Sequence, residues 1–204
     1  MKNIVYFFLV LALVSCSNKE VLLPQVDRTI VATVNDHSPI YMFFETKEND
    51  TLVDLNRKNS ISSTNWIFNI DKRLPLKLVI PEVIKMQAKK SGSMHNNAES
   101  QNYFSYSDSI QKKLAFVPFT NVVYKLEKPK SGINVYFSKN RILVDSVEFT
   151  KEKFEEYIEN MTIEDLYKCN FCFDKNDSYG NYIKNVVFIK NIEIELIKSE
   201  EFIF

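Results

Sequence analysis

The chain has 204 residues with 26 basic and 26 acidic side chains, and 45 % of its residues are hydrophobic. This balance of charge gives no electrostatic basis for binding nucleic acid. Only three glycines are present, which argues against Gly-rich phosphate-binding loops. The length and the apolar content fit one or two small domains with hydrophobic cores.

The N-terminus is typical of a bacterial export signal. An apolar run over residues 4–14 is too short to cross a bilayer as a helix, so it predicts a signal peptide over residues 1–15. Ser15 and Cys16 then resemble a lipobox, which implies a lipid such as palmitate on Cys16 and contact with a membrane. We expect a lipid-anchored protein of the cell envelope, in the outer rather than the inner membrane because Ser17 follows. A plain secretion signal with an incidental cysteine is the alternative.

The first predicted unit covers residues 26–128 and follows a lipidated tether over residues 16–25. Its predicted elements are a hairpin of two strands at 30–35 and 40–45, a short helix at 51–58, a strand at 66–70 and a helix that begins near Pro75. Polar sequence then predicts an inserted excursion at about 90–120, containing a short helix at 107–115, before a closing strand at 122–128.

The second predicted unit covers residues 129–204. Its predicted elements are a hairpin at 133–138 and 141–145, a helix at 150–160, a strand at 169–173, a helix capped by Ser178, and a closing strand at 192–197. Thr150 is the expected N-cap of the first of these helices.

Residues 65–87 recur in degraded form as residues 168–190. Asp71-Lys72 corresponds to Asp174-Lys175, 103 positions later, and the same offset relates three apolar pairs, namely Phe68 with Phe171, Ile80 with Ile183, and Val83 with Val186. Each copy predicts a strand, a turn and an amphipathic helix. The sequence therefore predicts a duplicated α+β unit.

The second unit resembles the periplasmic domain of the ExbD/TolR family of biopolymer-transport proteins. The family has a D-K-x-x-x-Y-G-x-V step into its second helix. This chain matches it through Asp174, Lys175, Tyr179 and Gly180, with Tyr182 at the last position, and Ile183, Val186 and Val187 also carry the resemblance. The first unit matches more weakly, through Asp71, Lys72, Pro75, Val79, Ile80 and Val83. The resemblance implies an α+β fold of two tandem units, each a small mixed sheet with two helices on one face. It also implies dimerisation and contact with envelope partners, without the acidic transmembrane residue that couples such proteins to protons.

Two groups of residues are candidates for an interaction site. The first group comprises the turn residues Asp71, Lys72, Asp174 and Lys175, which suit capped turns better than acid–base catalysis because adjacent side chains splay apart. The second comprises Tyr103, Phe104 and Tyr106, whose polar neighbours predict exposed aromatic rings for sugar stacking or protein contact. These rings could instead cover a sheet edge or the seam between the units.

Redox, metal and cofactor chemistry is not predicted. Cys169 and Cys172 lie in a predicted strand, where alternation directs their side chains to opposite faces, so neither a disulfide nor a zinc site is expected. His37 and His95 are expected to be solvated.

Three functions remain open. The first is a lipid-anchored binding or scaffold module without catalysis that contacts envelope proteins or peptidoglycan, possible also as a homodimer. The second is an accessory component of an ExbB/ExbD-like or Tol-like energised transport system. The third is an envelope enzyme whose catalytic groups converge only in the folded chain. The sequence favours the first.

Overall fold

A computed structural model describes residues 19–48, 50–95, 97–138, 141–192 and 200–204. These residues form two six-stranded mixed sheets with helices packed against them, so the α+β class is confirmed. Strands β1 to β6 of the first sheet are Gln25–Val26, His37–Lys47, Asp50–Asn56, Asn65–Ile70, Asn102–Asp108 and Lys113–Pro118. Helix α1 is Leu76–Ser91 and lies between β4 and β5 in the chain. The second sheet contains β7 to β12, at Val123–Lys125, Ile133–Phe137, Ile142–Val144, Val147–Phe149, Cys169–Phe173 and Glu200–Ile203. Its helices α2, α3 and α4 are Lys151–Glu159, Ile163–Lys168 and Tyr179–Asn191.

Four strands of each sheet share one order, whereas the outer strands differ. In the first sheet, β2 pairs with β3 in a hairpin, β4 lies parallel to β2, and α1 leads from β4 to β5, which is parallel to β4. In the second sheet, β8 pairs with β9, β11 lies parallel to β8, and α4 leads from β11 towards β12, which is parallel to β11. The order hairpin, parallel strand, crossover helix, parallel strand therefore occurs twice along the chain.

Three of the helices, α1, α2 and α4, form where the sequence predicts them, whereas α3 at Ile163–Lys168 was not predicted. Helix α1 buries its predicted apolar residues, Leu76, Val79, Ile80, Val83 and Met86, and continues through Pro81. Thr150 and Ser178 cap α2 and α4 by accepting hydrogen bonds from the backbone N–H groups three residues later.

One hydrophobic core lies between the helices and both sheets. Phe104 of the first sheet contacts Tyr179 and Tyr182 of α4, with ring centroids 5.7 and 6.2 Å apart. It also stacks on Phe119 at 3.7 Å. Edge-to-face and stacked rings of this kind add to the stabilisation from burial.

Several predicted elements of the first unit are wrong. The predicted helix at 51–58 is strand β3, because seven residue pairs with β2 satisfy its backbone. The predicted hairpin at 30–45 does not form, since β2 begins at His37 and pairs with β3 instead. Each sheet has six strands and is larger than the small sheet that was predicted. The described part of the first unit contains one helix rather than the predicted two.

The predicted excursion and closing strands also differ from the structure. The stretch at 90–120 contains the hairpin of β5 and β6, so the predicted helix at 107–115 is wrong. Strand β7 exists but pairs with β12 of the second sheet, so it does not close the first unit. The predicted closing strand at 192–197 falls almost entirely outside the described residues, and β12 provides a parallel strand at Glu200–Ile203. The boundary at residue 128 stays a prediction.

Candidate functional site

The two Asp-Lys turns of the sequence repeat meet each other in the structure. Pro75 and Ser178 form an antiparallel bridge, flanked by four backbone hydrogen bonds. Leu76 N donates to Asp177 O at 3.0 Å and Tyr179 N donates to Leu74 O at 2.7 Å. On either side of these, Lys77 N donates to Lys175 O at 2.7 Å and Gly180 N donates to Lys72 O at 3.0 Å. We call the bridge and these four hydrogen bonds the inter-unit contact.

The inter-unit contact has approximate two-fold symmetry. Pro75 and Ser178, which bridge each other, are 103 positions apart, the same offset that relates the sequence repeats. Exchanging each residue for its counterpart at this offset converts every bond of the contact into its partner bond. A contact in which the same patch meets itself is isologous, the geometry of a two-fold dimer.

Gly180 allows the close approach at this contact. A Cβ atom built on Gly180 would lie 3.1 Å from Lys72 Cβ and 3.2 Å from Lys72 O. Such contacts are tighter than ordinary packing, so a larger side chain would push the two turns apart. The Gly of the D-K-x-x-x-Y-G-x-V step thus has a packing role.

The Asp71 carboxylate bonds to its own turn and to the N-terminal segment at Leu22. Its buried carboxylate accepts hydrogen bonds from the Arg73 guanidinium at 2.7 and 2.8 Å and from Leu22 N at 3.1 Å. Burial favours the neutral form, but these hydrogen bonds outweigh it and hold the pKa of Asp71 below its usual value. Asp174 accepts from Asn176 N at 2.8 Å. The structure therefore brings the two turns together through backbone groups, while these carboxylates bond within or next to their own turns.

The three candidate aromatic residues do not form an exposed surface. Phe104 and Tyr106 are fully buried, so the exposed-ring interpretation is wrong. Phe104 lies at the seam between the units, which was the alternative, and there it contacts Tyr179 and Tyr182. Tyr106 accepts a hydrogen bond from Ile30 N at 2.9 Å. Tyr103 is half-buried on the opposite face of β5, beside Ile67. The polar residues around them pointed to a loop, but they lie on a strand.

A groove lies at the C-terminal end of α1, and we call it the Lys90 groove. It has a volume of about 410 Å³ between α1, the loop before β5 and the loop before β7. Its polar lining comes from Gln87, Lys90, Ser91, Asn97, Ser100, Asn102, Thr120, Asn121 and Tyr124. None of the described residues that line it is acidic.

Lys90 is a buried cation with uncharged partners. Its Nζ donates to Gln101 O and Asn102 Oδ1, each at 3.1 Å, and lies 5.2 Å from the centre of the Trp66 ring. Burial lowers the pKa of Lys90 to about 8. Neutral hydrogen-bond acceptors leave most of its positive charge uncompensated, so a ligand with acidic groups would be attracted to the groove. Sequence analysis missed this residue because it follows a run of ordinary surface residues at the helix end.

A buried chain of polar groups adjoins the groove at Tyr124. The hydroxyls of Tyr124 and Tyr182 lie 3.2 Å apart, and Tyr182 donates to Glu201 Oε2 at 2.6 Å. Burial raises the pKa of Glu201 to about 7. The Tyr179 hydroxyl is buried nearby without a hydrogen-bond partner among the described residues. This chain is a half-buried acid held by tyrosines, and the raised pKa of Glu201 predicts a pH dependence of stability.

The other residues considered from the sequence are the cysteines and the potential metal ligands. Burial raises the pKa of the Cys172 thiol to about 12, so it is not a nucleophile at neutral pH. Among the residues that the structure describes, no group of three or more His, Cys, Asp or Glu side chains could hold a metal ion. No described helix is long and apolar enough to span a membrane. Cys16 lies outside the described residues, and its lipidation stays a prediction.

Comparison of the chain with protein-family models, with curated proteins and with solved structures finds no match.

Proposed function

We propose that the protein is a lipid-anchored binding module of the bacterial cell envelope, which holds peptidoglycan in the Lys90 groove and catalyses no reaction. The observation that carries this proposal is a buried cation, bonded only to a carbonyl and an amide oxygen, in the wall of a polar groove of about 410 Å³. Pockets for small ligands typically have volumes of about 300–1,000 Å³.

The chemistry of the groove matches that of peptidoglycan. Its glycan strands carry hydroxyl and N-acetyl groups, and its stem peptides carry amides and carboxylates. The groove offers amides from Gln87, Asn97 and Asn121, a hydroxyl from Thr120, and the positive charge of Lys90. A carboxylate near an ammonium in a partly desolvated site gains more than it would in water. A protein partner is less well matched, since interface centres are typically rich in aromatic side chains.

The proposed anchor rests on the sequence that leads into the described residues. The apolar run at 4–14, the lipobox at Cys16 and the polar residues that follow support lipidation and removal of the signal peptide. The lipid would keep the module at the membrane, with the outer membrane favoured by Ser17.

We also propose a relationship to the ExbD/TolR periplasmic domain, and two features of the fold support it. Four strands of each sheet have the same order, and the two D-K turns meet through an approximately symmetric contact at the repeat offset. A duplicated ancestral unit that once formed a two-fold dimer accounts for both features. In this account the two tandem units occupy the surfaces through which single units would pair.

The proposal is tested by sedimentation with purified peptidoglycan sacculi. The experiment uses a soluble form of the chain that begins at Ser17, so that the lipid does not contribute to sedimentation. We expect the protein to pellet with sacculi and to be released by soluble muropeptides. Asn121→Trp places an indole in an exposed turn of the groove wall and is expected to lower the affinity about tenfold or more, a loss of about 1.4 kcal/mol.

Asn59→Trp is the matched control, because Asn59 is also an exposed turn residue and does not line the groove. It should sediment like the unmodified protein. The proposal fails if the unmodified protein stays in the supernatant, or if both tryptophan variants pellet as well as it does.

A further inference from the structure

The first described residues, 19–26, are fixed to the first sheet rather than forming the free tether that was expected. Lys19 Nζ contacts the carboxylates of Glu45 and Asp54, with 2.6 Å to the latter. Leu22 exchanges two hydrogen bonds with the D-K turn: its N donates to Asp71 Oδ2 at 3.1 Å, and its O accepts from Lys72 N at 2.8 Å.

The same segment continues past β4 to the end of β5. Pro24 O accepts a hydrogen bond from Ser107 N at 2.8 Å, and Ser109 N donates to Val26 O at 2.7 Å. Residues 19–26 therefore run across the carboxyl ends of β2, β4 and β5 in that order. Interactions with all three strands hold this segment in one orientation on the sheet.

Covalent geometry places the predicted lipid close to this end of the sheet. Lys19 is three positions after Cys16, and consecutive Cα atoms are at most 3.8 Å apart, so the two Cα atoms lie within about 11 Å. The carboxylates that hold Lys19 belong to the β2–β3 hairpin, whose tip is formed by Lys47, Glu48 and Asp50.

We infer that the tip of the β2–β3 hairpin lies against the lipid headgroups and that residues 19–26 turn the Lys90 groove away from the membrane. This inference rests on the lipidation in the proposed function. Lys47, Glu48 and Asp50 carry charges of both signs, so the lipid and the bound segment, rather than electrostatic attraction, hold the tip at the bilayer. The contact should therefore resist added salt.

Two elements give the distance from the membrane to the groove. Helix α1 begins at Leu76, four residues after Lys72, and rises about 21 Å before it reaches Lys90 in the groove wall. Strand β5 begins at Asn102 in the groove wall and ends beside Val26, about 20 Å away. The groove thus lies at the opposite end of the strands from the anchor, and it opens towards a peptidoglycan layer.

The inference is tested with the full lipidated chain in vesicles of phosphatidylethanolamine and phosphatidylglycerol. An environment-sensitive fluorophore is attached to Lys47→Cys at the hairpin tip or to Asn121→Cys at the groove, both exposed positions. Cys169 and Cys172 are buried and leave the new thiol as the reactive one. A quencher on the lipid headgroups should reduce the Lys47→Cys signal severalfold more than the Asn121→Cys signal, at low and high salt alike.

A flexible insertion provides the control for the fixed orientation. Twelve Gly and Ser residues placed after Asn18 keep the lipid but add a linker with an average span of about 20 Å, so the difference between the two labels should largely disappear. Equal quenching at both labels without the insertion, or stronger quenching at the groove, overturns the inference. A chain that mass spectrometry shows to lack the lipid overturns the anchor of the proposed function as well, and this outcome is distinguished by the mass alone.

Discussion

Replacing Glu201 by Gln should abolish a pH dependence of folding stability. Glu201 lies on β12, and its carboxyl accepts a hydrogen bond from the Tyr182 hydroxyl at 2.6 Å. Burial raises its pKa from 4.5 to about 7, although the Tyr182 hydrogen bond and the charge of Lys190 act in the opposite direction. Gln keeps the shape of the side chain and an oxygen for Tyr182, but it cannot titrate.

The direction and the size of this change in stability with pH follow from the linkage between protonation and folding. Between pH 4.5 and pH 7, the folded protein holds a proton on Glu201 that the unfolded chain has lost. The contribution is fully present below pH 4.5 and is lost as the pH rises through 7. A pKa difference of about 2.5 corresponds to about 3 kcal/mol of stability lost over this interval.

The assay is urea unfolding of both proteins at a series of pH values from 4.5 to 8. The difference in free energy of unfolding between Glu201→Gln and the unmodified protein should shift by about 3 kcal/mol in favour of the variant. The shift in melting temperature should be about 6–12 °C. Glu200→Gln is the control, because Glu200 is half-exposed and its ion pair with Lys125 spans 3.7 Å. Its effect should stay below about 1 kcal/mol at every pH.

A constant difference between Glu201→Gln and the unmodified protein across this pH range would refute the reasoning. It would mean that the carboxyl is solvated in the folded chain and that the Tyr124, Tyr182 and Glu201 chain is open to water.

Three further substitutions test the packing directly by chemical unfolding. Gly132→Ala should cost about 3 kcal/mol or more, because a Cβ would lie 2.3 Å from Lys168 O and φ is +102°. Ser146→Gly should stabilise by about 0.5–1 kcal/mol, because Ser146 has a φ of 79° in the tight turn between β9 and β10. Gly180→Val should destabilise by about 1–3 kcal/mol, because it forces the inter-unit contact apart against Lys72.

Matched positions control these three predictions. Gly92→Ala should be milder than Gly132→Ala, since φ at Gly92 is −81° and a Cβ there would lie 3.2 Å from Ala88 O. Lys77→Val is the counterpart of Gly180→Val at the repeat offset and should be milder, because Lys77 already carries a side chain there. Equal losses within either pair, or a destabilised Ser146→Gly variant, would contradict the packing described.

The repeated sequence predicted the second unit well. The hairpin at 133–144, the helix capped by Thr150, the strand Cys169–Phe173 and the helix capped by Ser178 all form. These elements have strong local signals, since β-branched runs, side-chain caps and helical spacing agree with the fold. The first unit was harder because β3 carries Leu52 and Leu55 at a helical spacing, while its pairing with β2 is not visible from local sequence.

The candidate site was only partly predictable. The D-K turns were found as a repeat, but their mutual contact depends on how the two sheets pack. Phe104 and Tyr106 were misplaced because the polar residues Asn102 and Ser105 are close to them in sequence. Asn102 accepts a hydrogen bond from Lys90 of α1, and Ser105 donates one to Asn69 of β4. Lys90 gave no local signal, because its burial arises from the loop that folds back over the helix end.

The most direct measurement for the proposed function is a nuclear magnetic resonance titration of the soluble chain with a disaccharide-peptide fragment of peptidoglycan. The account predicts concentration-dependent shifts of backbone amide signals confined to the groove, over residues 84–102 and 120–124. Shifts spread over another surface, or none at millimolar fragment, would contradict it.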